Sequence, residues 1–436
     1  MSTVTSVTSV RRGPVIAWGL WDWGSSAYNA VILTFVFSVY LTDSVGKGLP
    51  GSIDASAWLG YALGAAGLVI ALAAPVLGQR ADSAGRRKLS TVVWTILTVV
   101  VMGALFVVRD DYTYLWIGLL LLSLGSIFYE LASVSYNAML VQVCSPANMG
   151  RVSGFGWSMG YFGGIVLLLA VYTGLIAGDG DTRGLLGVPT EGGLNIRVVA
   201  VVAAVWFLVF ALPLFLRVPE VPPAPDREAR LGVVGSYRKL FRDLAALYRS
   251  SPQTVFFLVA SALFRDGLAA IFTFGAVLAV TVYGIGAGDV LIFGIAANVV
   301  SAAGALTAGW LEDRTGPKPV IVGSLIGLIL DAVVLLFVSG PVNFWIFGLI
   351  LTLFVGPAQS SSRTFLARLA PGGREGQLFG LYATTGRAVS FIAPTLFALF
   401  TSIFGAPRAG IVGILLVLVA GLAALLPVRP PQRTPA

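Results

Sequence analysis

Gly78-Gln79-Arg80-Ala81-Asp82-Ser83-Ala84-Gly85-Arg86-Arg87-Lys88 lies between two long apolar runs. Its pattern returns 231 residues later as Gly309-Trp310-Leu311-Glu312-Asp313-Arg314-Thr315-Gly316-Pro317-Lys318. In both copies a glycine is followed by an aspartate four residues on, a glycine seven on and a basic residue nine on. Each copy reads as a charged loop between membrane segments. A loop this specific, duplicated at half the chain length, predicts a duplicated membrane bundle, the internal-repeat plan of many transporters.

The composition points the same way. Of 436 residues, 57% are hydrophobic and 11% charged, and the mean hydropathy is +0.89. Soluble chains carry about 25% charged residues. The 52 glycines suit membrane helices in close contact. There is no histidine, which removes imidazole proton relays, most metal sites and Ser-His-Asp catalysis. The single cysteine, Cys144, can form neither an internal disulfide nor a thiolate cluster. No metal and no cofactor are expected.

Twelve apolar segments are long enough to cross ~30 Å of hydrocarbon. They are 14–42, 57–79, 89–108, 114–143, 149–176, 196–217, 252–282, 288–311, 318–339, 343–369, 375–404 and 408–427. All should be helical, because open strand edges in lipid leave backbone groups unsatisfied. The domains follow: a mobile tail at 1–13, six helices in 14–217, a cytoplasmic linker at 218–251, six helices in 252–427 and a disordered tail at 428–436. The first apolar run is too long for a signal peptide, and no small-residue cleavage site follows it. The linker carries Pro219, Pro222, Pro223 and Pro225, then an amphipathic run from Ser236 to Tyr248. That run predicts a helix on the cytoplasmic membrane surface.

Lys and Arg set the orientation. With the N-terminus inside, twenty of the 28 basic residues fall on the cytoplasmic side and five opposite: Lys47, Arg109, Arg183, Arg197 and Arg408. The remaining three, Arg265, Arg363 and Arg387, lie within spans. Scattering over short loops also argues against nucleic acid as the reason for the net charge of +8. A multi-pass integral membrane protein is expected, in the plasma membrane if the source is bacterial.

Twelve helices, a central linker and the duplicated Gly-x-x-x-Asp-x-x-Gly-x-Arg/Lys signature resemble the major facilitator superfamily over nearly the whole chain. Trp21-Asp22-Trp23-Gly24-Ser25-Ser26-Ala27-Tyr28 is similar to the Tyr-Asp-Trp-Ala-Asn-Ser-Ala-Tyr opening of the vacuole-effluxer, autophagy-related branch. It departs from that opening at Trp21 and at Gly24-Ser25. Tyr136-Asn137-Ala138-Met139-Leu140, Gly150 through Gly156, Gln359 through Arg363 and Gly380-Leu381-Tyr382 also resemble that branch. The resemblance implies an all-α fold of two pseudo-symmetric six-helix bundles, with spans one, four, seven and ten around a central cavity. The branch's fungal members export amino acids from the vacuole. The resemblance also gives the signature a gating role. Asp82 would stabilise the outward-open state by meeting the positive end of the eleventh helix, with Arg86 and Arg87 bracing it. Gly78 and Gly85 would permit close approach, and Gly309, Asp313, Gly316 and Lys318 form the second copy. Gly150, Gly154 and Gly160 echo Gly376, Gly380 and Gly386, which reads as close helix contact, and the resemblance implies that span five packs near eight and span eleven near two.

The chemistry must come from polar groups stranded in lipid, each costing ~2.5–3.5 kcal/mol when central. These are Asp22, Glu130, Arg265, Asp266 and Arg387, with Asp331 and Arg363 shallower. Acidic groups dominate the first half, and the basic ones fall in the second. A zwitterion needs an anionic site for its ammonium and a guanidinium for its carboxylate. Asp22 or Glu130 could meet the ammonium or carry a proton. Alternatively, these charges pair with each other to lock the halves. Arg265 and Asp266 are adjacent, so at most one should face the cavity centre. Arg363 faces the cavity or pairs with loop acids, and Arg387 suits an interhelix ion pair. Glu130 lies near the middle of span four, with Ser133, Tyr136 and Asn137 on or near its face. Gln359 adds a polar group in span ten.

Gly156-Trp157-Ser158-Met159-Gly160 matches the Gly-x-Ser-x-Gly nucleophile elbow. That motif needs a strand-turn-helix and a histidine, and this segment offers neither. No Walker loop is present, so the chain reads as a transporter rather than an enzyme or ATP-driven pump. The expected cargo is a small polar solute, an amino acid or related zwitterion, with a proton as the possible coupling ion, in a monomer embedded in the bilayer. The alternatives are export of an amphipathic drug-like or lipid molecule, and a non-transporting receptor or assembly factor. The topology is directly testable. A cysteine introduced in 218–251 should not react with an impermeant thiol reagent applied to intact cells, and labelling there would reverse the orientation.

Overall fold

The computed structural model describes residues 12–50, 53–220 and 233–429. Twelve helices among them are long and apolar enough to cross a membrane. Spans one to six are Arg12–Val45, Ala55–Ala84, Arg87–Val107, Tyr112–Ala138, Met149–Ile176 and Glu191–Arg217. Spans seven to twelve are Pro252–Thr281, Ile292–Thr315, Pro317–Phe337, Pro341–Leu369, Glu375–Phe404 and Pro407–Leu425. A linker helix covers Val233–Ser250. Two short strands, β1 (Thr182–Arg183) and β2 (Val188–Pro189), pair antiparallel between spans five and six, with Thr182 opposite Pro189. Apart from that hairpin, the architecture is the helical pair of six-span bundles that the repeat implies.

Local chemistry sets the helix ends. Pro252, Pro317 and Pro341 open spans seven, nine and ten, where a missing N–H costs nothing. Gly85 ends span two in the left-handed region at φ 63°. The signature is therefore mostly helix, not loop. Span two runs through Gly78 and Asp82 to Ala84, and the eighth helix runs through Gly309 and Asp313 to Thr315. The aspartates find partners on the opposite half, so their turns can stay helical. Arg12 and Gly13, expected in a mobile tail, belong to span one. The expected tails at 1–11 and 430–436 and the Pro-rich linker segment 221–232 lie outside the described residues.

Span one packs against five and six, and span three against four and six. In the second half span seven packs against twelve, and span ten against eight and nine. The halves meet along two seams, span two with eleven and span five with eight. Both seams need glycine. A Cβ on Gly78 would sit 2.1 Å from the Gly376 carbonyl oxygen, and one on Gly154 2.3 Å from that of Ala305. The outer surface exposes Leu68, Val205 and Leu330, as lipid contact requires.

Two spans are irregular. The hydrogen-bond register of span one widens over Ala27–Phe35. Span eleven breaks between Val389 and Ile392, just before Pro394, which has no N–H to donate. Both irregular segments border the space between the halves, where Asn29, Ser390 and Pro394 line a cavity.

The seam predicts a position-specific cost. Gly78→Ala forces backbone apart and should lower stability by about 1–3 kcal/mol, as overpacking does. Gly103, where an added Cβ meets nothing within 4 Å, is the control and should tolerate alanine. Thermal unfolding of the two detergent-purified variants makes the comparison.

Candidate functional site

Asp22, in the first third of span one, is held by both halves. Tyr136 Oη donates to its Oδ2 at 2.7 Å, and Arg363 Nη1 lies 3.4 Å from the same oxygen. Arg363 is 5% exposed and nearly saturated. Its Nε donates to Ser153 Oγ at 2.9 Å, its Nη2 to the Ser153 carbonyl at 2.7 Å and its Nη1 to Asn137 Oδ1 at 3.2 Å. Trp18 and Trp21 stack on either side of Tyr136, with centroids 4.6 and 4.1 Å away. Tight packing leaves no room to spare, since a Cβ on Gly156 would come within 2.7 Å of the Asp22 carboxylate. This cluster closes the inner end of a cavity of about 520 Å³ between the halves.

The cavity wall carries a second, looser pair. Glu130 Oε2 and Arg387 Nη2 lie 3.3 Å apart, and the side chains are 22% and 39% exposed. Beside them the Arg265 guanidinium stacks 3.7 Å over the Tyr382 ring and donates to the Tyr382 carbonyl at 3.1 Å. Asn29, Ser133, Asn137, Trp157 and Gln359 also line the space. Asp266 reaches the wall too, but its Oδ2 accepts the Ala393 backbone N–H at 2.7 Å. It satisfies one of the free donors at the restarted end of span eleven.

At the basic end of the molecule the two signature copies make matching contacts. Asp82 Oδ1 accepts the Gly376 N–H at 3.1 Å and its Oδ2 that of Gln377 at 2.9 Å, at the start of span eleven. Arg87 pairs with Asp82 at 2.6 Å and also with Glu375. Asp313 Oδ1 accepts the Gly150 N–H at 2.8 Å at the start of span five, and Arg151 Nε donates to its Oδ2 at 2.6 Å. Carboxylates thus meet the positive ends of two helices. Among the described residues, the ion pairs between halves lie at this end or at mid-depth: Arg87–Glu375, Arg151–Asp313, Arg363–Asp22 and Arg387–Glu130. The basic end is closed.

Several expectations change. Arg363 pairs with Asp22 inside the membrane, not with loop acids. Tyr136 is buried beneath the cavity and holds Asp22, while Glu130, Ser133 and Asn137 line the space. Glu130 lies in the middle third of the helix Leu115–Ala138, nearer its C-terminal end than the longer apolar run suggested, because that helix turns at Met139. Arg265 and Asp266 both reach the wall, since the helix edge between them faces the gap. Arg86 is exposed, and Lys318 instead donates its Nζ to the Leu426 and Val428 carbonyls at 2.6 and 2.7 Å. Gly309 and Gly316 serve the seam and the turn; Gly85 does the latter for the first copy. Asp331 stands apart from the cavity. Ser153, Trp157 and Glu375 also face these clusters, and their neighbours in sequence carry no hint of a partner on the other half.

This fold, with a charged cavity between two six-helix halves, is that of a major facilitator superfamily transporter. The solved fucose transporter FucP in its outward conformation superposes with a TM-score of 0.71 at 12% identity, over 95% of this chain and 98% of that one. The proton:xylose symporter XylE gives 0.74 at 14%, over 95% and 94%. Residues 146–433 match the family model described as "Vacuole effluxer Atg22 like", and the chain belongs to that family. An uncharacterised MFS-type transporter of Bacillus subtilis, YxiO, is 26% identical over 94% of this chain and 93% of its own. Autophagy-related protein 22-1 of Aspergillus fumigatus is 24% identical over 59% of this chain, which spans 44% of that relative's length.

The geometry separates two kinds of charge loss. Arg363→Ala strands the buried Asp22 and should cost about 3–5 kcal/mol, the usual price of an orphaned buried charge. Arg387→Ala removes a half-exposed partner and should cost less than about 1 kcal/mol. Thermal melts of the two variants rank them. Asp82→Asn should stay folded but weaken the closed basic end, raising thiol labelling of a cysteine placed at Gln79.

Proposed function

We propose that the chain is a secondary transporter that moves a small polar solute, an amino acid or related zwitterion, by alternating access. The carrying observation is the cavity of about 520 Å³ with Glu130 on one half and Arg387 and Arg265 on the other. Its size falls within the ~300–1,000 Å³ of small-ligand sites. The two ion pairs divide the work by exposure. Asp22–Arg363 is buried and costly to break. Glu130–Arg387 is open to water and therefore cheap to exchange.

A zwitterion can replace that second pair without changing the net charge. Its carboxylate takes the guanidinium fork of Arg387, with Arg265 close by, and its ammonium takes Glu130. Bridging the halves in this way supplies the differential affinity that closing around a solute requires. Asn29, Ser133, Asn137 and Gln359 offer further hydrogen bonds. An amphipathic drug or lipid cargo would instead meet five charged side chains: Glu130, Arg265, Asp266, Arg363 and Arg387.

The basic end takes the cytoplasmic side under the positive-inside rule. On this reading the closed basic end faces inward, and transport proceeds as the Asp82 and Asp313 contacts release while the opposite ends close. Protonation of Glu130 would release the ammonium and couple transport to a proton.

Glu130→Gln tests the reading, because it keeps shape and removes charge. Counterflow of radiolabelled amino acids in proteoliposomes is the assay. Binding should weaken at least roughly tenfold, in line with losing a charged hydrogen bond of about 1.5–3 kcal/mol. Intact exchange with lost pH-driven accumulation would assign Glu130 to the proton alone. Normal transport at every pH would remove Glu130 from the site.

A further inference from the structure

We propose that the linker helix Val233–Ser250 is a brace that reads anionic lipid: one face ties the two halves together at the closed basic end, and the opposite face seats on acidic headgroups of the membrane surface.

The inner face is built from Ser236, Leu240, Asp243, Leu244 and Leu247, which fall together at helical spacing. Ser236 and Leu240 are buried. Asp243 Oδ2 accepts from Gln79 Nε2 of span two at 3.1 Å and from Gln377 Nε2 of span eleven at 3.4 Å. These two helices form one of the seams that must part when the basic end opens. Gln377 also gives its backbone N–H to Asp82, so Asp243 reinforces the signature contact from outside the bundle. The other end of the helix is tied to span two. Arg80 Nη2 donates to Ser236 Oγ at 3.2 Å, and Tyr237 Oη donates to the Leu72 carbonyl at 2.9 Å. Leu72 is exposed on the apolar outer surface of span two, so the helix lies against the lipid-facing side of the bundle.

The outer face is different. Val234, Phe241 and Tyr248 are 82%, 67% and 54% exposed. Arg238, Arg242 and Arg249 are exposed beside them. At 3.6 residues per turn these arginines share an arc of roughly 40°, and the two rings flank it on the Tyr237 side. The one acidic residue of the helix, Asp243, points to the seam. Rings beside a cationic edge match the membrane boundary, with aromatic bodies at headgroup depth and guanidinium groups among phosphates. Charge complementarity and the lipid-facing position commit the occupant to an anionic phospholipid surface. At such a surface each arginine strengthens association roughly fivefold. Because the same helix holds Gln79 and Gln377, lipid bound outside favours the closed basic end.

The test reads conformation and does not depend on the cargo. Full-length protein carrying Cys144→Ser receives spin labels on cysteines at Tyr61 and Ile403, at the ends of spans two and eleven opposite the seam. It is placed in nanodiscs of phosphatidylcholine alone or mixed with phosphatidylglycerol. Phosphatidylglycerol should raise the ratio of long to short distances roughly fivefold or more and slow amide exchange in 233–250. Combined Arg238→Gln, Arg242→Gln and Arg249→Gln should abolish both responses and leave the distribution in phosphatidylcholine unchanged. Asp243→Ala should keep the amide protection but lose the distance response. A native chain indifferent to phosphatidylglycerol, as expected if an acidic protein were the partner, overturns the proposal. So does a triple variant that still responds, or an Asp243→Ala protein whose distances still shift.

Discussion

Asp82 and Asp313 each deliver a carboxylate to the first backbone N–H groups of a helix in the opposite half, and the rest of the arrangement depends on that pair of contacts. Those N–H groups have no partner within their own helices, and the helix dipole adds to their attraction for an anion. A carboxylate can reach them only if the two backbones nearly touch, which is why Gly78, Gly150, Gly309 and Gly376 occupy the seams. Arg87 and Arg151 then neutralise the aspartates from the side. Both seams are shut at this end, and the cavity between the halves lies beyond that closure.

Depth decides what the remaining charges do. At the inner end of the cavity, Asp22 and Arg363 are surrounded by Ser153, Asn137 and Tyr136, so nearly every polar atom is matched. Such a cluster is stable only when complete. Farther out, Glu130 and Arg387 retain contact with water, and their attraction is screened. One pair therefore suits the contact between halves and the other suits exchange with a solute. Both use an acid from the first half and an arginine from the second, so each contact spans the interface between the halves.

Span eleven connects these levels. Its start donates backbone N–H groups to Asp82, its middle carries Tyr382 and Arg387, and its break after Val389 is stabilised by Asp266 at the Ala393 N–H. The linker helix reaches the same start through Gln377. The seam, the cavity wall and the linker helix therefore all contact this one span.

Hydropathy alone determined the twelve spans, because a helix that must cross hydrocarbon writes its length into the sequence. The duplicated signature pointed to the two-fold plan, and the stranded charges other than Asp331 lie in or next to the cavity, because each needs a partner or water. Pairing was another matter. Nothing near Arg363 in sequence points to Asp22, 341 residues away, nor does anything near Glu130 point to Arg387. Nor does local sequence show that Gly78 through Asp82 stay helical, that Tyr136 lies under the cavity or that Lys318 serves the end of span twelve. Helical periodicity fixes which residues share a face, whereas the packing of helices distant in sequence decides which faces meet. Only that packing brought the acids of one half to the arginines of the other.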